Sequence, residues 1–426
     1  MTNKNIRILV WIALLLSFNQ YKAYSQDTTY ARQTIKTLCS PEFAGRAYVD
    51  NGDKKAAEFI ASEFQKDGLK ALSENYFQKF EIQINTISEL GDLIVFEDTL
   101  IPAVDYYISN ASKSRSGTYE LKFVNDSLFL NNRDYLQEIL MTDLSGKFLV
   151  FSNSQDDFKY SFKTEVGGLI FLKDDNIGYW DFRHAQQPIN YAIVEINKSL
   201  LPRDTKTIQI KFRSKYYNNY PTQNVIGYIK GKLYPDSFVA ITAHYDHMGK
   251  MGKDIYFPGA NDNASGTAMM LDLARYFSDS VNQPDYSIVF MSFSGEEVGL
   301  LGSQYYVRNP LFKLEKIKML INLDMVGTGS DGIKVVNGSI FKKEFKKLQT
   351  INSKHKYLKA VKVRGESCNS DHCPFYTNGV PSFFIYTLGD EYKEYHTITD
   401  KAEDLPLTKY PQLFSLLRDY IVDFNK

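Results

Sequence analysis

Cysteine is scarce in this sequence, and long apolar runs are almost absent from it. Only 3 of the 426 residues are cysteine, which excludes the small scaffolds that disulfides hold together. Neither charge sign dominates, because 50 Lys and Arg residues are matched by 50 Asp and Glu residues. Nucleic-acid-binding domains are normally strongly basic, so nucleic acid is not an expected partner. The length fits two ordinary domains or one large one.

The one pronounced apolar run lies close to the N-terminus. It spans residues 8–18, follows Lys4 and Arg7, and precedes the small residues of Ala23-Tyr-Ser25. This run is too short for a membrane-spanning helix, which needs roughly 20 residues. A charged start, a short apolar stretch and small residues before a cleavage point are typical of a secretory signal peptide. We therefore predict a cleaved leader at residues 1–25, a secreted or periplasmic mature protein and no stable membrane insertion.

The predicted secondary structure changes in character along the chain. Residues 53–69 carry apolar side chains at helical spacing and predict an amphipathic helix. Residues 80–212 contain short β-rich runs separated by clusters of Asn, Ser, Asp and Gly. From residue 224 onward, short apolar strands alternate with helices. The predicted strands are 238–243, 287–291, 319–323 and 382–386, with a helix at 265–277.

This alternation predicts an α/β fold with three layers, α/β/α, around a largely parallel, mixed central sheet. The β-rich middle then becomes a small inserted domain. We place the insert at residues 81–212 and the two parts of the catalytic domain at 26–80 and 213–426. No internal repeat interrupts this pattern.

Metal-binding residue types follow the predicted strands. They are His244, Asp246 and His247 after the first strand, Glu296 and Glu297 after the second, Asp324 after the third, His396 beyond the fourth, and Asp262 in the glycine-flanked loop 259–266. Sites in open α/β sheets form beyond the carboxyl ends of the strands. Two histidines with three or four carboxylates suit divalent ions such as zinc. One carboxylate can bridge two metals roughly 3.5–4 Å apart.

Each of these motifs also has an ordinary structural explanation when it is taken singly. Adjacent glutamates are usually a solvated pair, and an aspartate after a strand is often a helix cap or a turn former. Their joint occurrence favours a metal site. From spacing alone, either Glu296 or Glu297 binds metal while the other takes a proton from metal-bound water. Asp246 is placed to orient the His244 imidazole from behind.

Several segments together resemble a known enzyme family. They are Thr222-Gln-Asn-Val-Ile-Gly-Tyr-Ile, Ala243-His-Tyr-Asp-His-Met-Gly249, Gly259-Ala-Asn-Asp-Asn-Ala-Ser-Gly266, Phe293-Ser-Gly-Glu-Glu-Val-Gly-Leu-Leu-Gly-Ser303, Asn322-Leu-Asp-Met325 and Ser370-Asp-His-Cys-Pro-Phe375. This combination resembles the co-catalytic zinc aminopeptidases, a group that also includes relatives of glutamate carboxypeptidase and glutaminyl cyclase. The resemblance covers residues 30–70 and 220–426. The middle of the chain resembles, more loosely, the protease-associated insert of some members.

The resemblance implies two zinc ions per chain, with manganese or cobalt as alternative metals. It implies that Asp262 bridges the ions, that His244 and Asp324 complete one site, and that Glu297 and His396 complete the other. Glu296 would then be the general base and Asp246 the residue that orients a ligand.

This sequence departs from the family at one position, where some relatives have an oxyanion-binding tyrosine and this chain has Ser367. Oxyanion stabilisation would therefore fall to the second metal or to His372. Asp371 and His372 are expected to shape the substrate pocket, and the alternative is that they only order their loop. Cys368 and Cys373 are either bridged or free thiols, and Cys39 is expected to be the unpaired one.

The sequence thus predicts a secreted metallo-aminopeptidase that acts on peptide substrates. Carboxypeptidase cleavage and glutaminyl cyclisation remain open because they use the same ligands, although the insert weakly disfavours the cyclase. A binding or scaffold protein with an inactive peptidase domain is the non-enzymatic alternative. The oligomeric state is not predicted.

Overall fold

The computed structural model describes residues 28–152, 165–174, 177–182 and 185–424. The predicted leader at residues 1–25 lies outside these residues, and no helix within them is long and apolar enough to cross a membrane. The helices are α1 Thr28–Leu38, α2 Gly52–Lys66, α3 Asp126–Asn131, α4 Arg133–Met141, α5 Gly266–Ser278, α6 Leu301–Arg308, α7 Lys342–His355, α8 His372–Thr377 and α9 Tyr410–Val422. The strands are β1 Lys70–Ala71, β2 Phe77–Val95, β3 Asp98–Thr99, β4 Tyr106–Ile108, β5 Arg115–Phe123, β6 Leu144–Phe151, β7 Val166–Lys173, β8 Ala192–Asn197, β9 Thr207–Ile229, β10 Tyr234–His244, β11 Lys250–Met251, β12 Ile255–Tyr256, β13 Tyr286–Phe293, β14 Ile317–Leu323, β15 Gly332–Val336, β16 Val361–Val363 and β17 Ser382–Leu388.

The central sheet has the strand order β16-β15-β17-β14-β10-β13-β9. Strands β13, β10, β14 and β17 run parallel to one another, and β9 and β15 pair antiparallel to their neighbours β13 and β17. The sheet is therefore mixed and largely parallel. Its four parallel strands bring their carboxyl ends to one edge, which is where the sequence places the candidate ligands.

Both faces of this sheet are covered. Along β10, Val239 and Ile241 pack into a core with helices α1, α2, α5, α7 and α9. Phe238 and Ala240 point the other way, into a core with Tyr306 of α6 and Phe375 of α8. This alternation, with both sets apolar, is the pattern of a strand buried on two sides. The predicted three-layer α/β/α fold is confirmed.

The sheet continues from β9 into the middle of the chain, in the order β9-β5-β6-β7-β8-β4. The predicted domain boundaries at residues 80/81 and 212/213 fall inside β2 and β9, which pair antiparallel over most of their length. The division into domains therefore stays a prediction. The region also contains the short helices α3 and α4, whose side chains Phe129 and Ile139 pack on the sheet.

A buried carboxyl group begins helix α2. Asp53 is fully buried and accepts hydrogen bonds from the hydroxyls of Tyr220 (2.8 Å) and Thr222 (2.9 Å). Burial raises the pKa of Asp53 to about 6, although both hydrogen bonds favour the charged form. Since the pKa in the folded state exceeds the unfolded value, the folded protein binds this proton more tightly. The associated stability is complete below about pH 4 and is lost as the pH rises through about 6.

We therefore expect the neutral variant Asp53→Asn to gain stability relative to the wild type as the pH rises. The expected gain is about 1 kcal/mol between pH 5 and pH 7, because the wild-type carboxyl ionises in its buried position over this range. Urea unfolding of both proteins at several pH values measures the difference. If the difference in unfolding free energy between the two proteins does not change with pH, the raised pKa of Asp53 is contradicted.

Candidate metal centre

The candidate ligands meet at the carboxyl edge of the four parallel strands. His244 is the last residue of β10, Asp324 directly follows β14, and Glu297 lies in the loop after β13. His396 lies beyond β17, and Asp262 lies in the turn that precedes helix α5. Parallel strands place these positions side by side, although they are distant in the sequence.

Asp262 lies between two histidines, each with its own carboxylate. His244 Nε2 is 3.4 Å from Asp262 Oδ1 and 3.4 Å from Asp324 Oδ1. His396 Nε2 is 3.0 Å from Asp262 Oδ2 and 3.2 Å from Glu297 Oε2. The two oxygens of Asp262 therefore face different halves of the cluster, and all five side chains are buried.

The cluster divides into two groups whose possible ligand atoms lie within 4.8 Å of one another. The groups are His247, Asp262, Glu297 and His396 on one side, and His244, Glu296 and Asp324 on the other. Within the described residues, the buried Nε2 of His396 makes no hydrogen bond. A buried imidazole nitrogen that faces two carboxylate oxygens without hydrogen-bonding to either fits a divalent cation. These residues therefore have the chemistry that zinc requires.

The charges of the cluster lead to the same conclusion. Burial alone would lower the pKa of His396, but the charge of Glu297 raises it well above its ordinary value. Burial alone would raise the pKa of Glu297, but the charge of His396 lowers it to about 2. Without metal, the buried carboxylates are thus balanced by protons on the histidines. Divalent cations would replace those protons as the balancing charge.

Glu296 differs from its neighbour Glu297. It is partly exposed, whereas Glu297 is buried, so a substrate can reach Glu296. Burial of its carboxyl group raises the pKa of Glu296 well above the usual value, and the charge of Glu297 raises it further. A raised pKa makes this carboxylate a stronger proton acceptor than a solvated one, which suits a group that must take up and return a proton.

Asp246 supports the cluster from behind. Its carboxylate accepts the backbone N–H groups of Glu296 (3.2 Å) and Glu297 (3.4 Å) and the hydroxyl of Tyr48 (3.3 Å). Nδ1 of His244 lies 3.1 Å from the backbone carbonyl oxygen of Asp246 but 3.7 Å from its carboxylate. The main chain at Asp246 thus orients the imidazole, while its side chain positions the two glutamates.

His247 is a site residue to which spacing assigned no role. It is fully buried, and its Nδ1 lies 2.9 Å from Glu297 Oε1. The signal was its place in the His-Tyr-Asp-His motif, but the motif did not show which way the second histidine points. The contact places His247 as a residue that orients Glu297.

The loop that carries Asp262 is fixed by two residues from distant parts of the chain. The Asp400 carboxylate accepts the backbone N–H groups of Asn261 and Asp262, at 2.9 Å and 3.1 Å. Gly259 has a φ of +62°, and a side chain there would collide with the Arg46 guanidinium and the Asp262 carbonyl. Only glycine therefore fits this close approach.

Arg46 is fully buried, and in the part of the chain that the structure describes none of its hydrogen-bond partners is a carboxylate. Its guanidinium donates five hydrogen bonds to backbone carbonyls, those of Leu38, Tyr245, Pro258, Gly259 and Asp262. Three of these carbonyls, those of Pro258, Gly259 and Asp262, belong to the turn that carries Asp262 and to the residues just before it. A single side chain thus ties the N-terminal segment to the metal loop.

We expect Arg46→Met to destabilise the protein by at least about 3 kcal/mol, because several buried carbonyls lose their donors at once. Denaturant unfolding of the metal-free protein measures this effect. The exposed Arg308→Met serves as the matched control, with an expected change within about 0.5 kcal/mol. Equal stability of the two variants would show that Arg46 does not hold the loop.

The segment 367–373 borders the Asp324 half of the cluster. Cys368 and Cys373 form a disulfide across it, and Cys39 is buried and free, so the expected unpaired cysteine is confirmed. Inside the bridge, Ser370 donates a hydrogen bond to Asp324 Oδ2 at 2.8 Å. This serine fixes the carboxylate from the side away from His244.

Asp371 and His372 are both fully buried beside the cluster. Asp371 accepts a hydrogen bond from Ser303, and burial raises its pKa to about 7. Nε2 of His372 lies 2.8 Å from the Ser367 carbonyl oxygen, and burial lowers the pKa of this imidazole to about 4. The neutral ring therefore donates its one N–H to Ser367, which leaves no donor for an oxyanion.

The fold has three α/β/α layers, and at the carboxyl edge of its sheet one aspartate joins two buried histidine–carboxylate groups. This arrangement is that of a metal-dependent hydrolase. Comparison with known proteins agrees with this class. Residues 224–421, just under half of the chain, match the profile of peptidase family M28. The protein is therefore a hydrolase of peptide bonds, and the resemblance stated from its motifs is confirmed.

Individual relatives agree with this assignment. The chain is 28% identical over 417 residues to aminopeptidase YwaD of Bacillus subtilis (strain 168), a match that covers 91% of this chain and 83% of the relative. It is 29% identical over 208 residues to a glutamate carboxypeptidase 2 homolog of Caenorhabditis elegans, covering 41% of this chain and 26% of the relative. The solved structure of BSAP, a zinc aminopeptidase from Bacillus subtilis, has the same fold, with a TM-score of 0.68, 24% identity and coverage of 94% and 95%.

Proposed function

We propose that this protein is an exported di-zinc aminopeptidase that removes N-terminal residues from peptides. The observation that carries the proposal is the position of Asp262, whose two oxygens each face a separate histidine–carboxylate pair. One zinc ion would be held by His244, Asp324 and Asp262, and the other by His396, Glu297 and Asp262. The relative aminopeptidase YwaD, similar along 91% of this chain, supports the choice of reaction.

In this proposal, bound zinc supplies Lewis-acid polarisation of the substrate carbonyl and lowers the pKa of a water molecule. Glu296 takes a proton from the attacking water and passes it to the departing amine nitrogen as the peptide bond breaks. Asp246 keeps Glu296 in place through the backbone N–H that it accepts at 3.2 Å. The N–H of His372 is already engaged with Ser367, so the positive charge that stabilises an oxyanion would be supplied by a metal in the second site.

A peptide library distinguishes this reaction from its alternatives. The purified, metal-loaded protein is incubated with peptides of defined sequence, with and without a chelator, and the products are identified by mass spectrometry. Loss of residues from the N-terminus that stops with chelator is the expected result. Loss from the C-terminus would identify a carboxypeptidase, loss of ammonia from N-terminal glutamine would identify a cyclase, and an unchanged library would indicate a binding protein.

Export and the domain division are part of the same proposal. We propose that residues 1–25 are removed on secretion and that residues 81–212 form an insert within the catalytic domain. The mass of the protein recovered from the medium or the periplasm tests the first part. A mature chain that still carries residues 1–25 would exclude the predicted cleavage.

A further inference from the structure

A segment from the middle of the chain lies against the candidate metal centre. Residues 177–182 follow β7, and the backbone N–H of Trp180 donates a hydrogen bond to the His396 carbonyl at 3.1 Å. The Gln186 side chain donates a second hydrogen bond, to the carbonyl of Val298, the residue after Glu297. The region predicted as an insert is thus attached to the two loops that present Glu297 and His396.

Trp180 anchors this segment. Its ring is 2% exposed, stacks on Phe257 with a centroid distance of 4.7 Å, and donates its indole N–H to the Ile108 carbonyl at 2.8 Å. A buried, hydrogen-bonded tryptophan holds the neighbouring backbone in one position. The residue before it, Tyr179, is therefore presented from a fixed support.

Tyr179 is not buried by this arrangement. Its ring remains 49% exposed although it contacts two rings at the metal centre. The ring centroids of Tyr179 and Tyr395 are 5.6 Å apart, and those of Tyr179 and His396 are 5.9 Å apart, both edge to face. Tyr395, which is 40% exposed, stacks on His396 at 3.8 Å.

The two tyrosines thus present a half-exposed aromatic surface beside a candidate zinc ligand. Trp180 in the same segment is covered, whereas these two rings contact a candidate metal ligand and stay open on one side. A ring edge or aliphatic chain laid on this surface would extend the edge-to-face arrangement already present. The exposed part of the surface adjoins His396, a candidate metal ligand.

We infer that Tyr179, supplied by the insert, is a specificity-determining residue that receives a large apolar or aromatic side chain next to the scissile bond. The inference rests on the proposed aminopeptidase function and names its substrate class. Tyr395 completes the same surface from the loop of His396. The segment 177–182 thus connects the inserted region to substrate choice without taking part in the chemistry.

Two N-terminal substrates test this inference. The metal-loaded wild type, Tyr179→Ala and Tyr179→Phe are compared on the p-nitroanilides of L-phenylalanine and L-alanine. We expect the wild type to prefer phenylalanine, and Tyr179→Ala to lower the ratio of kcat/KM for phenylalanine over alanine about tenfold, through KM. This corresponds to about 1.4 kcal/mol of side-chain contact. Tyr179→Phe keeps the ring and should restore the ratio. The half-exposed Tyr216→Ala, which is 41% exposed in β9, is the matched control.

A binding measurement separates this inference from the proposed function. Calorimetric titration of the metal-loaded Glu296→Gln protein, with and without Tyr179→Ala, uses L-phenylalaninamide and L-alaninamide as probes. If the wild type cleaves neither anilide, the aminopeptidase proposal fails and the titration alone decides the role of Tyr179. If Tyr179→Ala lowers the affinity for both amides equally, the inference is overturned, because Tyr179 would then only support His396. A kcat/KM ratio of phenylalanine over alanine that Tyr179→Ala leaves unchanged would overturn the inference as well, and so would a wild type that prefers alanine.

Discussion

Replacing Glu296 with glutamine is expected to lower kcat for peptide hydrolysis by about 10²–10⁴-fold, the range that a lost general base typically costs. Glutamine has the same shape but cannot take the proton of the attacking water. Glu296 shares one group of possible ligand atoms with His244 and Asp324, yet the proposed ligand sets do not include it. Both metal equivalents should therefore stay bound. Elemental analysis measures the metal content, and steady-state kinetics measures kcat.

The exposed Glu315→Gln is the matched control and should leave kcat and metal content unchanged. Full activity of Glu296→Gln would remove this residue from the mechanism. Loss of a metal equivalent together with the activity would instead make Glu296 a ligand. In that case the roles of Glu296 and Glu297, which spacing alone left open, would be reversed.

Asp262→Asn is expected to weaken metal binding at both sites, because an amide offers one oxygen and no negative charge where the two halves of the cluster need a shared anion. We expect an affinity loss of more than about 100-fold, beyond what residues behind a ligand usually contribute. Competition with a zinc chelator measures it, and hydrolysis at limiting zinc should fall in parallel.

Asp324→Asn gives the comparison that makes this result specific. Asp324 pairs with His244 and shares its group of possible ligand atoms, so its replacement by asparagine should weaken one metal equivalent and leave the other. The exposed Asp404→Asn should change neither. If Asp262→Asn binds two zinc ions with wild-type affinity, Asp262 does not bridge the sites.

The sequence predicted the four parallel strands of the central sheet well because they are buried on both faces. Runs such as 238–243 and 287–291 are apolar except for Thr242 and Ser287 and are followed by polar residues, so their positions could be read directly. Helices α3 and α4 were missed because Asn125 and Asn132 look like loop residues in a sequence. In the structure their side chains accept the backbone N–H groups of Leu128 and Tyr135, so they are helix caps.

The candidate site, too, could be predicted in part: its ligands could be predicted, but the residues that support them could not. The predicted ligands follow strands, and the topology of a parallel sheet brings such positions together, so their meeting at one edge could be expected. Arg46 and Asp400 act on the Asp262 loop from about 216 and 138 residues away in sequence. No spacing rule relates them to it, because contacts of this kind depend on how loops fold over the sheet. Tyr179 was missed for the same reason.

The long strand β9 has a consequence for how the molecule responds to stress. Thr207–Ile229 pairs with β13 at its C-terminal end, with β5 at its N-terminal end and with β2 along most of its length. Among the described residues, the inserted region is therefore joined to the peptidase through continuous β-pairing. Cutting the chain within β9 to separate the two regions would leave a row of unpaired backbone hydrogen-bonding groups, which promotes aggregation. Heat or denaturant should therefore melt the two regions in one cooperative transition. The region that supplies Tyr179 is accordingly joined to the peptidase through a continuous β-ribbon.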